Sequence, residues 1–327
     1  MSRDVPQAAP PVGDRRELTI EIGARCPLRC RFCSNHREER GLIGYDRLTD
    51  LLAEAGGLDL DVNLSGGDVL RDVAPFQDAF DLVGGDRTRI YTSGVAPAGW
   101  TVEDWRKLAP AAAVVFNVQS VDAAVHDDLG GDWAATRASL ALALEAGLRV
   151  EAHLVPMRPN LATLDLTARW LVRLGVVRVA LLRLVVQGEA ERHRADLELD
   201  PQERQRLQCL IDTLQADPEV GPKLRVGVPL GGPGTCRAGR GRLLVRADGE
   251  VAPCEAFKHR VSLGAAGADS LEDLFEAGRQ WADRWIPEVS PEVARERAEW
   301  RQPGDPDPCP AQAAIARPGS PAGDGPE

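Results

Sequence analysis

The sequence has no long apolar run. Its most apolar stretch, Val176 to Val186, is interrupted by Arg178 and Arg183 and is too short to cross a bilayer. Met1 to Arg16 is polar and proline-bearing and lacks the apolar core of a secretory signal. These absences predict a cytoplasmic protein with no membrane partner. Positive charge is also scarce: 39 Lys and Arg stand against 50 Asp and Glu, for a net charge of −11. That balance excludes a general nucleic-acid binder, whose affinity for phosphates needs an excess of Lys and Arg. No internal repeat appears beyond an alternation of strands and helices.

What is present suits a globular enzyme. A chain of 327 residues with 43% hydrophobic residues can bury one large core, with or without a small second domain. Seven cysteines in a cytoplasmic chain suggest metal or redox chemistry rather than disulfides.

From Glu17 to Ala216 short β-type runs alternate with helical ones. Strands are predicted at Glu17–Ile22, Val62–Leu64, Arg89–Thr92, Ala113–Val118, Arg149–Val155 and Val177–Leu184. Thr101-x-x-Asp104 reads as a capping box. Helices over Thr136–Ala146 and Leu164–Leu174 end at Gly147 and Gly175. Asp200-Pro201 opens a helix with an apolar stripe of Leu207, Leu210, Ile211 and Leu214. Six strand–helix units predict the α/β class and an open partial (β/α)6 barrel of TIM type, with its chemistry at the C-terminal strand ends. Beyond a Gly231-Gly232-Pro233-Gly234 linker, Arg242–Val245 and Glu250–Pro253 flank Asp248-Gly249, a hairpin signal. Leu271–Trp285 reads as a helix. The expected division is a disordered N-terminus over 1–16, a barrel over 17–230, a small hairpin-plus-helix domain over 231–310 and a disordered tail over 311–327.

The most specific feature is Cys26-Pro-Leu-Arg-Cys30-Arg-Phe32-Cys33. Three thiolates on one loop can hold three irons of a [4Fe–4S] cubane and leave the fourth iron open. A Cys3His zinc site with His36 is the other reading of the spacing. The motif, with Phe32 before its last cysteine, resembles the signature of the radical S-adenosylmethionine (radical SAM) superfamily. The resemblance runs from about Glu17 to Pro310. It implies a [4Fe–4S] cluster on Cys26, Cys30 and Cys33, with SAM chelated to the open iron.

It also implies cofactor contacts. Ser65-Gly66-Gly67-Asp68 stands where the family has a Gly-Gly-Glu-like segment near the SAM ammonium. Gln119 and Ser120, at the end of the fourth strand, resemble a ribose-binding segment, although Ser120-x-Asp122 also reads as a strand-end cap. Ser93 of Tyr91-Thr92-Ser93-Gly94 replaces an Asn of many relatives. The resemblance points Arg183, in an Arg-x-x-x-x-Gly phrase ending at Gly188, at the SAM carboxylate; a structural salt bridge is the other reading. His153 is a candidate substrate contact.

Cys236-Arg-Ala-Gly and Asp248-Gly-Glu-Val-Ala-Pro-Cys254 resemble the auxiliary-cluster domain called SPASM or, when short, twitch. That resemblance implies one auxiliary [4Fe–4S] cluster on Cys236, Cys254 and Cys309, whose fourth ligand is open. A small zinc hairpin is the plainer reading. Cys209 is a candidate for that ligand, for a hydrogen-atom donor, or for plain surface placement. Together the resemblances imply reductive SAM cleavage and hydrogen abstraction from a substrate, with a flavodoxin- or ferredoxin-type electron donor. The expected substrate is a ribosomally made peptide, crosslinked, oxidised or epimerised, although Met1–Arg16 is too short for the peptide-recognition domain many such enzymes carry. A small molecule such as an amino sugar is the alternative. A non-catalytic iron–sulfur or zinc protein is the third reading.

Overall fold

The computed structural model describes residues 15–37, 41–71, 74–231 and 236–286. Cys309, the predicted tail and nearly all of the predicted disordered N-terminus lie outside them. So do three residues of the predicted linker, 232–234.

Seven parallel strands follow one another across the sheet: β1 (Glu17–Gly23), β2 (Asp61–Gly66), β3 (Thr88–Thr92), β4 (Ala113–Asn117), β5 (Val150–Leu154), β6 (Arg178–Leu181) and β7 (Leu224–Val226). β8 (Arg242–Val245) lies parallel to the free side of β1, Glu17 beside Arg242. β9 (Glu250–Ala252) and β10 (Gly264–Ala265) complete the order antiparallel. All six predicted strands and the predicted hairpin are present. The sheet extends past them by the short β7, and β8 joins the hairpin to the barrel sheet. Arg225 on β7 lies close enough to feel Glu17 on β1 and Arg242 on β8. The ends of the parallel run therefore curl toward each other as a partial barrel.

Helices cover the outside: α1 (Tyr45–Gly57), α2 (Trp133–Glu145), α3 (Leu164–Leu174) and α4 (Pro201–Ala216). Asp200 caps α4 by accepting from the Glu203 amide, and the Thr101 amide donates to Asp104 in the predicted capping box. α3 ends at Gly175, left-handed as a C-cap requires. The apolar core lies between strands and helices. It takes Leu18 and Ile20 from β1, Leu48, Leu51 and Leu52 from α1, Leu171 from α3, and Leu207, Ile211 and Leu214 from α4. Each fully buried aliphatic side chain contributes about 1.5–3 kcal/mol of transfer free energy.

The opposite strand faces are polar. On β1 the apolar residues alternate with Glu17, Thr19 and Glu21. Arg89 and Tyr91 on β3, Glu151 and His153 on β5, and Arg178 on β6 share that inner face. Closed barrels fill this space with branched aliphatics. Here charged residues line a cavity of about 540 Å³.

The C-terminal helix α5 (Leu271–Trp285) is capped by Ser270, whose hydroxyl accepts from the Asp273 amide. Ala238, Ala256, Phe257, Ala282 and Ile286 form a small separate core beside the hairpin. The Phe257 and Trp281 rings meet edge to face, 4.9 Å between centroids.

Candidate functional site

β1 delivers the cysteine loop at its C-terminal end, and contacts on several sides hold the loop. The Arg29 and Arg31 amides donate to the carbonyls of Gly130 and Leu129 at 3.4 and 3.0 Å. A side chain at Gly130 would collide with the Arg29 carbonyl at 2.3 Å, and its φ of +87° also favours glycine. Phe32 packs in a small apolar cluster with Leu129, Met157, Ala190 and Leu197. On another side, buried Lys258 donates to Glu21 at 2.9 Å and to Asn35, and pairs with Glu255 at 2.8 Å. Ser34 bonds Glu255, and His259 Nε2 meets the Ser34 carbonyl at 3.0 Å. Burial alone would depress the Lys258 ammonium, but Glu255 and Glu21 hold it above its usual range.

Cys26, Cys30 and Cys33 all line the cavity. Burial first, then the neighbouring Cys33 and Cys26, push the Cys30 thiol well up, and burial raises Cys33. The Cys30 and Cys33 thiols resist ionisation unless positive metal compensates them, which fits a metal-cluster donor set. Among the described residues no group of three His, Cys, Asp or Glu is placed to hold a single ion. A cubane asks for a wider arrangement, because each thiolate ligates a different iron.

Ser65, Gly66, Gly67, Ser93, Gln119 and Arg183 also line the cavity. A Cβ on Gly67 would lie 2.0 Å from the Arg25 carbonyl, so the glycine lets this turn press against the cysteine loop. Gln119 is buried; its side-chain carbonyl accepts from the Val155 amide at 2.9 Å. Its Nε2 has no partner among the described residues. A buried amide nitrogen left open at a cavity wall fits a ligand acceptor.

Three expected contacts are turned elsewhere. Asp68 does not line the cavity; its carboxylate accepts from the Leu70 and Ser93 amides and the Thr92 and Ser93 hydroxyls. It ties the β2 loop to the β3 loop. Ser120 is buried outside the cavity; its hydroxyl shares a 2.8 Å bond with Thr163 and accepts from the Asp122 amide. Asp122 caps the next short helix through the Ala124 amide, so the strand-end cap reading describes this phrase. Cys209 is exposed on α4, away from its buried Leu207, Ile211 and Leu214, and does not line the cavity. Its thiol cannot donate hydrogen there.

Cys236 and Cys254 line the same cavity and pack on the same small C-terminal core. The Gly239 amide donates to the Pro253 carbonyl at 3.0 Å, joining the two segments. Register places Cys254 near the start of β1: Ala252 pairs with Leu244, and Arg242 pairs with Glu17. Cys254 acts on the Arg242 guanidinium. The cavity therefore reaches from the trio at the C-terminal strand ends to the pair at the N-terminal level.

The inward charges were missed in the sequence. Their signal was alternation inside predicted strands, as in Glu17-x-Thr19-x-Glu21 and Glu151-x-His153. Glu17 bonds Arg242 at 2.8 Å, and Arg178 pairs with Glu151 at 3.3 Å. His153 sits among these groups, its ring edge-on to Tyr91 at 5.3 Å. Burial, then Arg225, Arg242, Arg178 and Arg89, depress it to about 3.

The family model of the Radical SAM superfamily matches residues 20–171, and that of an iron–sulfur cluster-binding domain, SPASM, matches residues 236–292. The chain belongs to the radical SAM superfamily. It is an enzyme of that superfamily with a C-terminal SPASM domain. Its cofactors are a [4Fe–4S] cluster and SAM, with auxiliary iron–sulfur in the SPASM domain. The PqqA peptide cyclase of Rhizobium meliloti (strain 1021) is 26% identical over 324 residues, 91% of this chain and 84% of the relative. That of Methylorubrum extorquens (strain PA1) is 31% identical over 274 residues, 75% and 66%. In fold the chain is similar to anSMEcpe with bound AdoMet, at TM-score 0.64 and 14% identity, covering 81% of this chain and 82% of that one. It is also similar to Streptococcus suis SuiB bound to precursor peptide SuiA, at TM-score 0.63 and 17% identity, covering 80% and 64%. No described helix is long and apolar enough to cross a membrane.

Proposed function

We propose that this radical SAM enzyme modifies a ribosomally made peptide in the cytoplasm by crosslinking, oxidation or epimerisation. The carrying observation is one cavity lined by both cysteine sets. The peptide as substrate rests on the PqqA peptide cyclases, which match over most of the chain.

Bound at this site, the cluster and SAM would supply radical chemistry able to take a hydrogen atom from an unactivated C–H bond. Cys26, Cys30 and Cys33 would hold the cluster. Phe32 fixes their loop through its apolar cluster. Ser65, Gly66 and Gly67 bring backbone close to the amino acid part of SAM, with Ser93 beside them. Gln119 Nε2 donates to the ribose or adenine. Arg183 offers a bidentate partner for the carboxylate. Asp68 and Ser120 act indirectly by shaping the loops that carry these groups. Cys236 and Cys254, which line the cavity floor, would hold an auxiliary cluster together with Cys309, which lies outside the described residues. The barrel strands and the β8–β9 hairpin, which line the cavity, keep water and stray hydrogen donors from the site. A flavodoxin- or ferredoxin-type protein supplies electrons.

The test uses anaerobically reconstituted protein, SAM, a reductant and synthetic peptides encoded by short reading frames beside the gene. Formation of 5′-deoxyadenosine together with a mass change in one peptide supports the reading. 5′-Deoxyadenosine with every such peptide unchanged overturns the peptide as substrate. No 5′-deoxyadenosine under any condition overturns the catalytic assignment.

A further inference from the structure

The hydrogen-donor role that Cys209 cannot fill has one other candidate in the cavity. Of the two tyrosines in the chain, Tyr91 lines the cavity and Tyr45 does not. No tryptophan or methionine is among the described lining residues, and the five thiols there belong to the two cysteine sets. The other hydroxyls on the wall are the aliphatic ones of Ser and Thr. A phenol gives up a hydrogen atom far more readily than an aliphatic hydroxyl or an amide, because the phenoxyl radical left behind is delocalised over the ring. Outside the cysteine sets, Tyr91 is therefore the one group on the described wall able to hand a hydrogen atom to a carbon radical.

Position favours that role. Arg89, Tyr91 and Ser93 alternate along β3 and past its C-terminal end, and all three line the cavity. Ser93 lies on the side of the trio, and Tyr91 comes one pleat below it. The charged neighbours of the phenol are Arg89, Glu17, Arg242 and Glu151, and it acts in turn on Arg225 and Arg242. The hydroxyl end therefore reaches toward the floor, so a group held in the cavity has the trio on one side and the phenol on the other. The ring is held edge-on to His153 at 5.3 Å. The hydroxyl makes no hydrogen bond among the described residues, although a tyrosine hydroxyl taken out of water usually finds a partner. Burial above all pushes the phenol up to about 12, so at neutral pH it keeps its hydrogen.

We propose that Tyr91 is the hydrogen-atom donor of this site, returning a hydrogen atom from the floor side to a carbon radical of the substrate. That this carbon belongs to a peptide rests on the reading above. In the step, the Tyr91 O–H bond breaks and a C–H bond forms on the substrate. The carbon is reduced by one electron, and the phenol is oxidised by one electron to a neutral phenoxyl. The phenoxyl then takes one proton from water and one electron, which the flavodoxin- or ferredoxin-type donor supplies through the auxiliary cluster. Cys254 and Tyr91 both act on Arg242, so the auxiliary centre and the phenol share a neighbour. A hydrogen atom removed on the trio side and returned from the floor side inverts the carbon. Of crosslinking, oxidation and epimerisation, Tyr91 thus selects epimerisation.

The test uses reconstituted full-length protein, anaerobic and thiol-free in deuterium oxide. It receives one electron equivalent of titanium(III) citrate and then SAM, with and without the peptides of the neighbouring reading frames. Samples frozen within the first turnover are read by electron paramagnetic resonance. A neutral tyrosyl signal should appear even without peptide, because the phenol holds the most readily given hydrogen on the open wall. Ring-deuterated tyrosine in the growth medium should narrow it. Tyr45→Phe should keep the signal, since the Tyr45 hydroxyl bonds Asp78 at 2.8 Å outside the cavity. Tyr91→Phe should lose it, with iron content and calorimetric SAM affinity unchanged because the ring stays against His153. With two tyrosines in the chain, a signal kept by Tyr45→Phe assigns to Tyr91 even if Tyr91→Phe fails to fold. In a peptide that is turned over, one residue should be inverted and carry one solvent deuterium. Tyr91→Phe should lose that deuterium while 5′-deoxyadenosine still forms. A tyrosyl signal with every peptide unchanged would keep the donor and overturn the peptide as its substrate. No tyrosyl signal in the parent, a signal lost in Tyr45→Phe, peptide deuterium untouched in Tyr91→Phe, or a peptide crosslinked or oxidised without deuterium would overturn the proposal.

Discussion

The two cysteine sets reach one cavity by different routes. Cys26, Cys30 and Cys33 fall within eight residues on a loop that one strand presents. Cys236 and Cys254 are separated by the β8–β9 hairpin and meet because the Gly239 amide bonds the Pro253 carbonyl over a shared apolar core. The first set is local and depends on neighbouring turns to hold it. The second is tertiary and depends on β8 adding to β1. Local spacing suits a centre that must leave one metal position open. A hairpin anchored in the same sheet sets a second centre at a fixed height below it.

The sharpest way to break the comparison is to remove one member of each set. Cys33→Ala should reduce 5′-deoxyadenosine formation to background, because it removes one of the three thiolates that would hold the cluster. Cys254→Ala should have a smaller effect on that readout, with SAM cleavage continuing while product formation stops. The two quantities, measured by chromatography and peptide mass, separate a cleavage centre from a substrate or electron-transfer centre. Normal product from Cys254→Ala would remove the auxiliary role.

The two loops also share a physical link, and cutting it should affect both. Lys258, four residues after Cys254, is buried against Glu21 of β1 and Asn35 beside the trio. Lys258→Met leaves Glu21 buried without this cation and removes the pairing of the partly exposed Glu255. Breaking such a pair costs about 3–5 kcal/mol. Urea unfolding should show that loss, and iron content should fall at both sets together. Glu21→Gln in the same background should recover part of the stability by removing the buried carboxylate that faced Lys258. Loss of iron from only one set would mean that the loops are independent.

The strands and the cysteine trio were legible because each is written locally. Short β-type runs between helical ones marked β1 to β6, and three cysteines in eight residues mark a loop whatever surrounds it. Less legible was where a side chain points once its turn is folded. Asp68 and Ser120 stand at the right strand ends, yet their oxygens satisfy nearby amides and hydroxyls. Both residue types bond locally with ease, so spacing alone does not distinguish a ligand contact from a turn brace. Gln119, next to Ser120, faces the cavity instead. The parallel pairing of β8 with β1 joins residues 225 positions apart, as between Glu17 and Arg242. No local pattern announces such a contact. The charged floor follows from it, because Arg225, Arg242 and Glu17 meet only when the sheet curls.

The smallest predicted effect sharpens the contrast between the floor and the trio. His153 titrates near 3 in the folded protein, through burial first and then four arginines, against about 6.5 unfolded. The folded pKa is the lower, so the unfolded chain binds the proton that the folded chain refuses. The stability tied to neutral His153 is therefore complete above about pH 6.5 and is lost as pH falls toward 3. At about pH 5.5 the loss would be up to about 1.4 kcal/mol. His153→Gln, neutral throughout, should lose less stability than the parent between about pH 7.5 and about pH 5.5 in urea unfolding. An acid response identical in parent and variant would mean that the floor does not hold His153 neutral.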